Sequence, residues 1–272
     1  MDYDADGRLD LVTGSYTGQF YLFRRQQDGG FAQRELLVDE DGATLMMPFE
    51  TVYSVTPELV DMDADGDLDL VVGNRSGTVQ IVTNLGTRQT PKWSKQRRDL
   101  TTIDGKPIAG SNAHHADWDG DGMHDLIVGS EGGDVTWYRN AGRNESPRYT
   151  PGKTLVAARH SERGAEGSTP EHHGMRVKVH VTDWNEDGKV DLLVGDITWQ
   201  ESKLTPLTEA EAKTKKALEK ELEELYARGY STDETAQREA ATKAIADVQA
   251  KLRPLRRTET HPHGWVWLYL RS

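Results

Sequence analysis

Aspartates at every second position, followed by a glycine, are the residues of this sequence whose spacing implies chemistry. Asp61, Asp63, Asp65, Gly66, Asp69 and Gly73 spell D-x-D-x-D-G-x-x-D-L-x-x-G. On a tightly wound loop, alternate carboxylates turn inward, the glycine permits the sharp bend, and the residue after it offers a backbone carbonyl. Such a hard, all-oxygen donor set selects calcium over zinc, and a flexible loop selects it over magnesium.

The pattern occurs four times, with loops starting at residues 2, 61, 117 and 183. A lone copy is moderate evidence of a cation; four in phase make a merely acidic turn a poor account. Side-chain ligands are expected from loop positions one, three, five and nine. These are Asp2, Asp4, Asp6 and Asp10; Asp61, Asp63, Asp65 and Asp69; Asp117, Asp119, Asp121 and Asp125; and Asp183, Asn185, Asp187 and Asp191. The carbonyls of Arg8, Asp67, Met123 and Lys189 complete each set at position seven. Up to four structural Ca²⁺ ions are thereby expected. Asn185 removes one charge, so the fourth loop is expected to bind most weakly.

The elements around the loops repeat with them. Thr51 to Val60 and Arg176 to Thr182 read as strands running into a loop, and alternating segments follow each loop. Gly18 to Phe23, Gly77 to Val82, Gly133 to Tyr138 and Gly264 to Tyr269 align as returning strands after glycine-rich turns. Each unit then reads as strand, loop, strand, turn, strand and usually a fourth strand such as Ala32 to Val38. Repetition at this period indicates stacked supersecondary units, and four antiparallel strands per unit is a propeller blade. The expected domains are repeats over residues 1–203, a helical hairpin over 204–256 and a closing strand over 257–272. In that hairpin Thr208 and Glu211, then Ser231 and Glu234, form capping boxes. Leu218, Leu222 and Leu225 lie on one helical stripe; Ala241, Ile245, Val248 and Leu252 lie on the other, before Pro254.

With 272 residues the chain is long enough for a large core, and its net charge of -12 reads as cation binding and argues against a nucleic-acid partner. It has no cysteine, hence no disulfide framework or thiolate metal site. No apolar run is long enough to span a membrane.

The loops and the Gly-x-Val-x-x-Tyr strands resemble the FG-GAP/VCBS repeat proteins, the calcium-binding β-propellers that include the integrin α-chain propeller and many secreted bacterial proteins. The inserted hairpin and the His263 to Arg271 ending are most similar to planctomycete-type bacterial members. The resemblance implies an all-β propeller of four blades or part-blades carrying a helical hairpin. Because the chain starts inside a loop, an amino-terminal truncation is expected, together with an extracellular or periplasmic location.

The remaining residues divide between packing and recognition. Tyr3, Met62, Trp118 and Trp184, at loop position two, read as wedges between blades, and Trp265 and Trp267 as packing. His114-His115, His172-His173 and His261-x-His263 read as solvated or blade-edge histidines. Glu50, Asn112, His173 and Arg176 fall near the starts of inner strands and are the candidate ligand face. No nucleophile elbow, phosphate loop or dinucleotide fingerprint occurs, and no catalytic residue is assigned. The expected function is a non-catalytic binding or scaffold module for a polysaccharide or protein. A lyase- or dehydratase-type enzyme on a propeller scaffold and an integrin-like adhesion module are the alternatives. In the adhesion reading the helical hairpin docks a partner.

Overall fold

The computed structural model describes residues 1–48, 54–75, 77–158, 174–203, 206–230, 235–256 and 258–271. The chain is mostly β, with four antiparallel sheets, two helices and no closed barrel among these residues. The first sheet holds β1 (Leu11–Gly14), β2 (Phe20–Phe23) and β3 (Glu35–Leu36). The second holds β4 (Thr56–Val60), β5 (Asp69–Gly73), β6 (Gln80–Val82) and β7 (Arg98–Asp99). The third repeats that order with β8 (Asn112–Ala116), β9 (Asp125–Gly129), β10 (Val135–Tyr138) and β11 (Lys153–Val156). The fourth holds β12 (Met175–Thr182), β13 (Asp191–Lys203) and β14 (Thr258–Tyr269).

Register is the same wherever a loop joins two strands. Val60 pairs with Asp69, Ala116 with Asp125 and Thr182 with Asp191, so three loops close one and the same step of the ladder. The sheets pack face to face through inner strands that are apolar on both sides; β5 and β9 are buried at every residue. One core joins Phe20, Leu22 and Met47 to Leu70, Val72 and Trp93. The next joins Val71 and Ile81 to Ile108, Leu126 and Val128, and a third joins Ile127 and Val135 to Val177, Val179 and Leu192. Each fully buried side chain of this size contributes about 1.5–3 kcal/mol of transfer free energy. Each sheet therefore completes its core on its neighbour, as repeat units do.

The wedge expectation holds for three repeats. Tyr3, Met62 and Trp118 are buried, Tyr3 accepting a hydrogen bond from Trp93 Nε1 at 3.2 Å. Trp184 is 59% exposed, because no described element covers it. Trp265 is also half-exposed and stacks on Trp267 with ring centres 5.9 Å apart.

The chain divides into two compact units, the second running over Trp199–Pro262. It contains α1 (Glu209–Tyr230) and α2 (Thr235–Leu252), followed by a 3-10 turn, Arg253–Leu255, holding the proline. The first capping box forms as its residues require: Thr208 N–H donates to Glu211 Oε2 at 2.8 Å and Glu211 N–H to Thr208 Oγ1 at 3.3 Å. Leu218, Leu222 and Leu225 form a half-buried stripe on α1, and Val248 and Leu252 are buried on α2. The second box, Ser231 to Glu234, lies outside the described residues.

Candidate metal centres

All four loops adopt one winding. Position six is a glycine at positive φ throughout: Gly7 at 86°, Gly66 at 94°, Gly122 at 86° and Gly188 at 84°. Position four is left-handed as well, although only the third loop has glycine there; Ala5, Ala64 and Glu186 hold φ of 58°, 60° and 58°. A non-glycine residue in this region is held against a steric cost, so the surrounding hydrogen bonds must dictate the turn. They do. The first aspartate of each loop accepts the N–H of position six, at 3.0 Å for Asp2, 3.1 Å for Asp61, 2.9 Å for Asp117 and 2.8 Å for Asp183. The position-five aspartates accept the N–H two residues on, at 2.9 to 3.0 Å.

The position-nine aspartate is buried and does a second task that its spacing alone did not reveal. Its Oδ2 accepts the N–H of position two: Tyr3 to Asp10 at 2.9 Å, Met62 to Asp69 at 3.2 Å, Trp118 to Asp125 at 3.3 Å and Trp184 to Asp191 at 3.0 Å. Its Oδ1 accepts an N–H from beyond the returning strand. Arg25, Asn84 and Asn140 donate at 2.8, 2.9 and 2.7 Å, each fifteen residues on. In the fourth repeat the donor is Arg271, eighty residues on, at 2.8 Å. One carboxylate thus fastens each loop to both of the strands that follow it.

Three loops gather carboxylate oxygens within 4.8 Å of one another: Asp2, Asp4 and Asp10; Asp61, Asp63 and Asp65; Asp117, Asp119 and Asp121. Asp4 Oδ1 and Asp61 Oδ1 are buried without a hydrogen-bond partner. Burial, backed by repulsion from its loop neighbours, raises the Asp67 carboxyl, and burial is the main cause that lifts Asp69 to about 6. Orphaned oxygens and mutually repelling carboxylates are what an oxygen-seeking cation relieves, so these residues fit calcium. The loops differ in what already balances them. Arg24 pairs with Asp4 in loop one, and Arg139 reaches Asp119 at 2.6 Å and Asp121 at 2.5 Å in loop three. Among the described residues no ion pair reaches Asp61, Asp63 or Asp65.

A second cluster lies on the strands leading into the loops. Glu58 on β4 accepts His114 Nδ1 and His115 Nδ1 of β8, both at 2.8 Å, and the His115 backbone N–H at 3.1 Å. Burial alone would raise the Glu58 carboxyl, but the two imidazole hydrogen bonds outweigh it and bring it down to about 2. His115 is not a solvated histidine: its side chain is 4% exposed and its Nε2 is buried without a partner. His114 sits 4.8 Å, ring centre to ring centre, from His180 of β12. Lys178, two residues earlier, donates to Thr56 Oγ1 at 2.8 Å and to the Ser111 carbonyl at 2.9 Å, and burial lowers its pKa to about 8. Of the expected ligand face, Glu50 and His173 lie outside the described residues. Asn112 Oδ1 accepts the Val179 N–H at 2.5 Å and Arg176 donates to Glu131 Oε1 at 2.9 Å, so both tie neighbouring sheets together.

An FG-GAP-like repeat is found at residues 117–194, from the first aspartate of the third loop into β13. Together with the four antiparallel sheets, that match points to a repeat-type β-propeller module. A search of curated proteins returned no match. No helix among the described residues is long and apolar enough to cross a membrane.

Proposed function

We propose that this chain is a calcium-stabilised β-propeller module that binds a polysaccharide or protein outside the cytoplasm without catalysis. The observation that supports this reading is the common winding of the four loops, with positions four and six left-handed in every copy. When bound, calcium supplies rigidity by neutralising each ring of carboxylates. Asp2, Asp4, Asp6 and Asp10 would hold it in the first loop, with the matching residues in the others and the position-seven carbonyls. The remaining work is done by the chain: the position-nine aspartate holds the loop on its strands and, in the first three loops, position two wedges it against the next sheet.

Melting with and without a chelator tests the metal. Sites of extracellular type bind at about 10⁻⁴ to 10⁻³ M, so 10 mM calcium stabilises by roughly 1.4 to 2.7 kcal/mol per filled site. A melting temperature unmoved by chelator would count against structural calcium. Glycan-array binding without turnover tests the module reading. The enzymatic alternative draws on the Glu58 cluster, and unsaturated product absorbance from uronic-acid polymers would establish it.

A further inference from the structure

Glu58, His114 and His180 stand three residues before the second, third and fourth loops. Because each strand enters its loop in the same register, the repeat brings these three positions to one level on neighbouring sheets. Glu58 Oε1 lies 2.8 Å from His114 Nδ1, and the His114 and His180 ring centres are 4.8 Å apart. We infer that Glu58, His114 and His180 form a binding site for a divalent transition-metal ion of the zinc type, distinct from the four loops.

Donor chemistry separates the two kinds of site. The loops offer oxygen alone, which suits calcium, whereas two imidazoles and a carboxylate suit zinc, copper or nickel. The ring spacing fits as well, although the donor atoms of the three residues do not all lie within 4.8 Å of one another. An ion must therefore draw the His180 ring inward and displace the proton shared by His114 and Glu58. Two imidazoles on one tetrahedral zinc, with Zn–N of about 2.0–2.1 Å, have ring centres roughly 5 Å apart. His180 is exposed on β12, so its ring can turn toward the ion at little packing cost. Glu58 is held in place from behind by the His115 ring and backbone N–H, the kind of support that orients a metal-binding carboxylate. Three protein ligands leave a fourth position for water or a bound molecule.

The test titrates the full chain with Zn²⁺ by calorimetry in saturating calcium, which occupies the loops, and repeats it with Co²⁺ to read the visible absorption of a tetrahedral site. One equivalent is expected to bind, with affinity reduced about 10-fold or more in His180→Ala and in Glu58→Gln. The exposed His180→Ala variant is the folding-safe arm, and its calcium-bound melting temperature is expected to match the parent. A double His172→Ala/His173→Ala variant is expected to keep the site. The inference is overturned if the parent binds no zinc, if binding survives His180→Ala undiminished, or if binding is lost only in the His172/His173 double variant.

Discussion

Arg24 and Arg139 occupy the same position in their repeats, directly after the returning strands β2 and β10, and both turn into their own loop. The second repeat has Thr83 there and the fourth Leu270. A guanidinium among loop carboxylates competes with a cation for the same oxygens. Arg139→Ala is therefore expected to tighten calcium binding at loop three by about two- to fivefold, the scale of an exposed ion pair. Site-resolved calcium or terbium titration of single-loop variants reads this directly. In the parent, loop two should fill before loop one or loop three, and loop four, with Asn185, should lag behind loop two; loop four filling first would contradict the charge argument.

Glu58 allows a second test at the same scale. Its folded pKa of about 2 lies below the ordinary value of 4.5. A depressed carboxyl contributes stability that is complete above the unfolded pKa and disappears as pH falls through the folded one. The contribution should be full above pH 4.5, reach up to about 3 kcal/mol, and fade toward pH 2. In pH-dependent denaturation, the gap between the parent and Glu58→Gln should close over that window. The loop aspartates were legible because their partners are near neighbours on the chain. The Glu58 cluster was not, because its carboxylate and imidazoles lie in different repeats. Aligning the residue three before each loop was the signal that could have found it.

Between elements, the last glycine of the loop pattern decides how closely sheets approach. A Cβ on Gly73 would stand 2.8 Å from the Ser111 carbonyl carbon and 2.9 Å from the Asn112 nitrogen. On Gly129 it would stand 2.8 Å from the Val177 oxygen, and on Gly14 it would run into Val55. On Gly195 it would meet nothing nearer than 3.8 Å. Gly73→Ala forces backbone apart and is expected to destabilise by about 1–3 kcal/mol, whereas Gly195→Ala should stay within about 0.5 kcal/mol. Chemical denaturation of the two variants separates them. Strand order within the repeats was readable from alternation and turn glycines. The outermost strands were legible in place but not in length: Ala32 to Val38 reads as a strand, yet β3 keeps only Glu35–Leu36 of it, and β7 is as short, because pairing more than pattern sets these edges. Position four of the loop was also hidden, because Ala5, Ala64 and Glu186 give no sign of a left-handed turn.

For the whole molecule, the informative contrast is between the first three repeats and the fourth. Asp191 finds the same backbone donor as its counterparts, although α1 and α2 intervene. Replacing residues 204–256 by a short turn between β13 and β14 is thus expected to leave the four sheets intact and shift the melting temperature by a few degrees at most. Loss of a pull-down partner in that variant would assign the hairpin to docking.

The clamp between Asp191 and Arg271 carries one more consequence. Stretching a closure from fifteen residues to eighty costs only about 1.5 kcal/mol of chain entropy, and less when the inserted segment folds with its ends together. The turn after β13 is thus a natural cloning port: a foreign domain with adjacent termini, such as a fluorescent reporter, could be grafted there while the carboxylate clamp keeps the host strands in register.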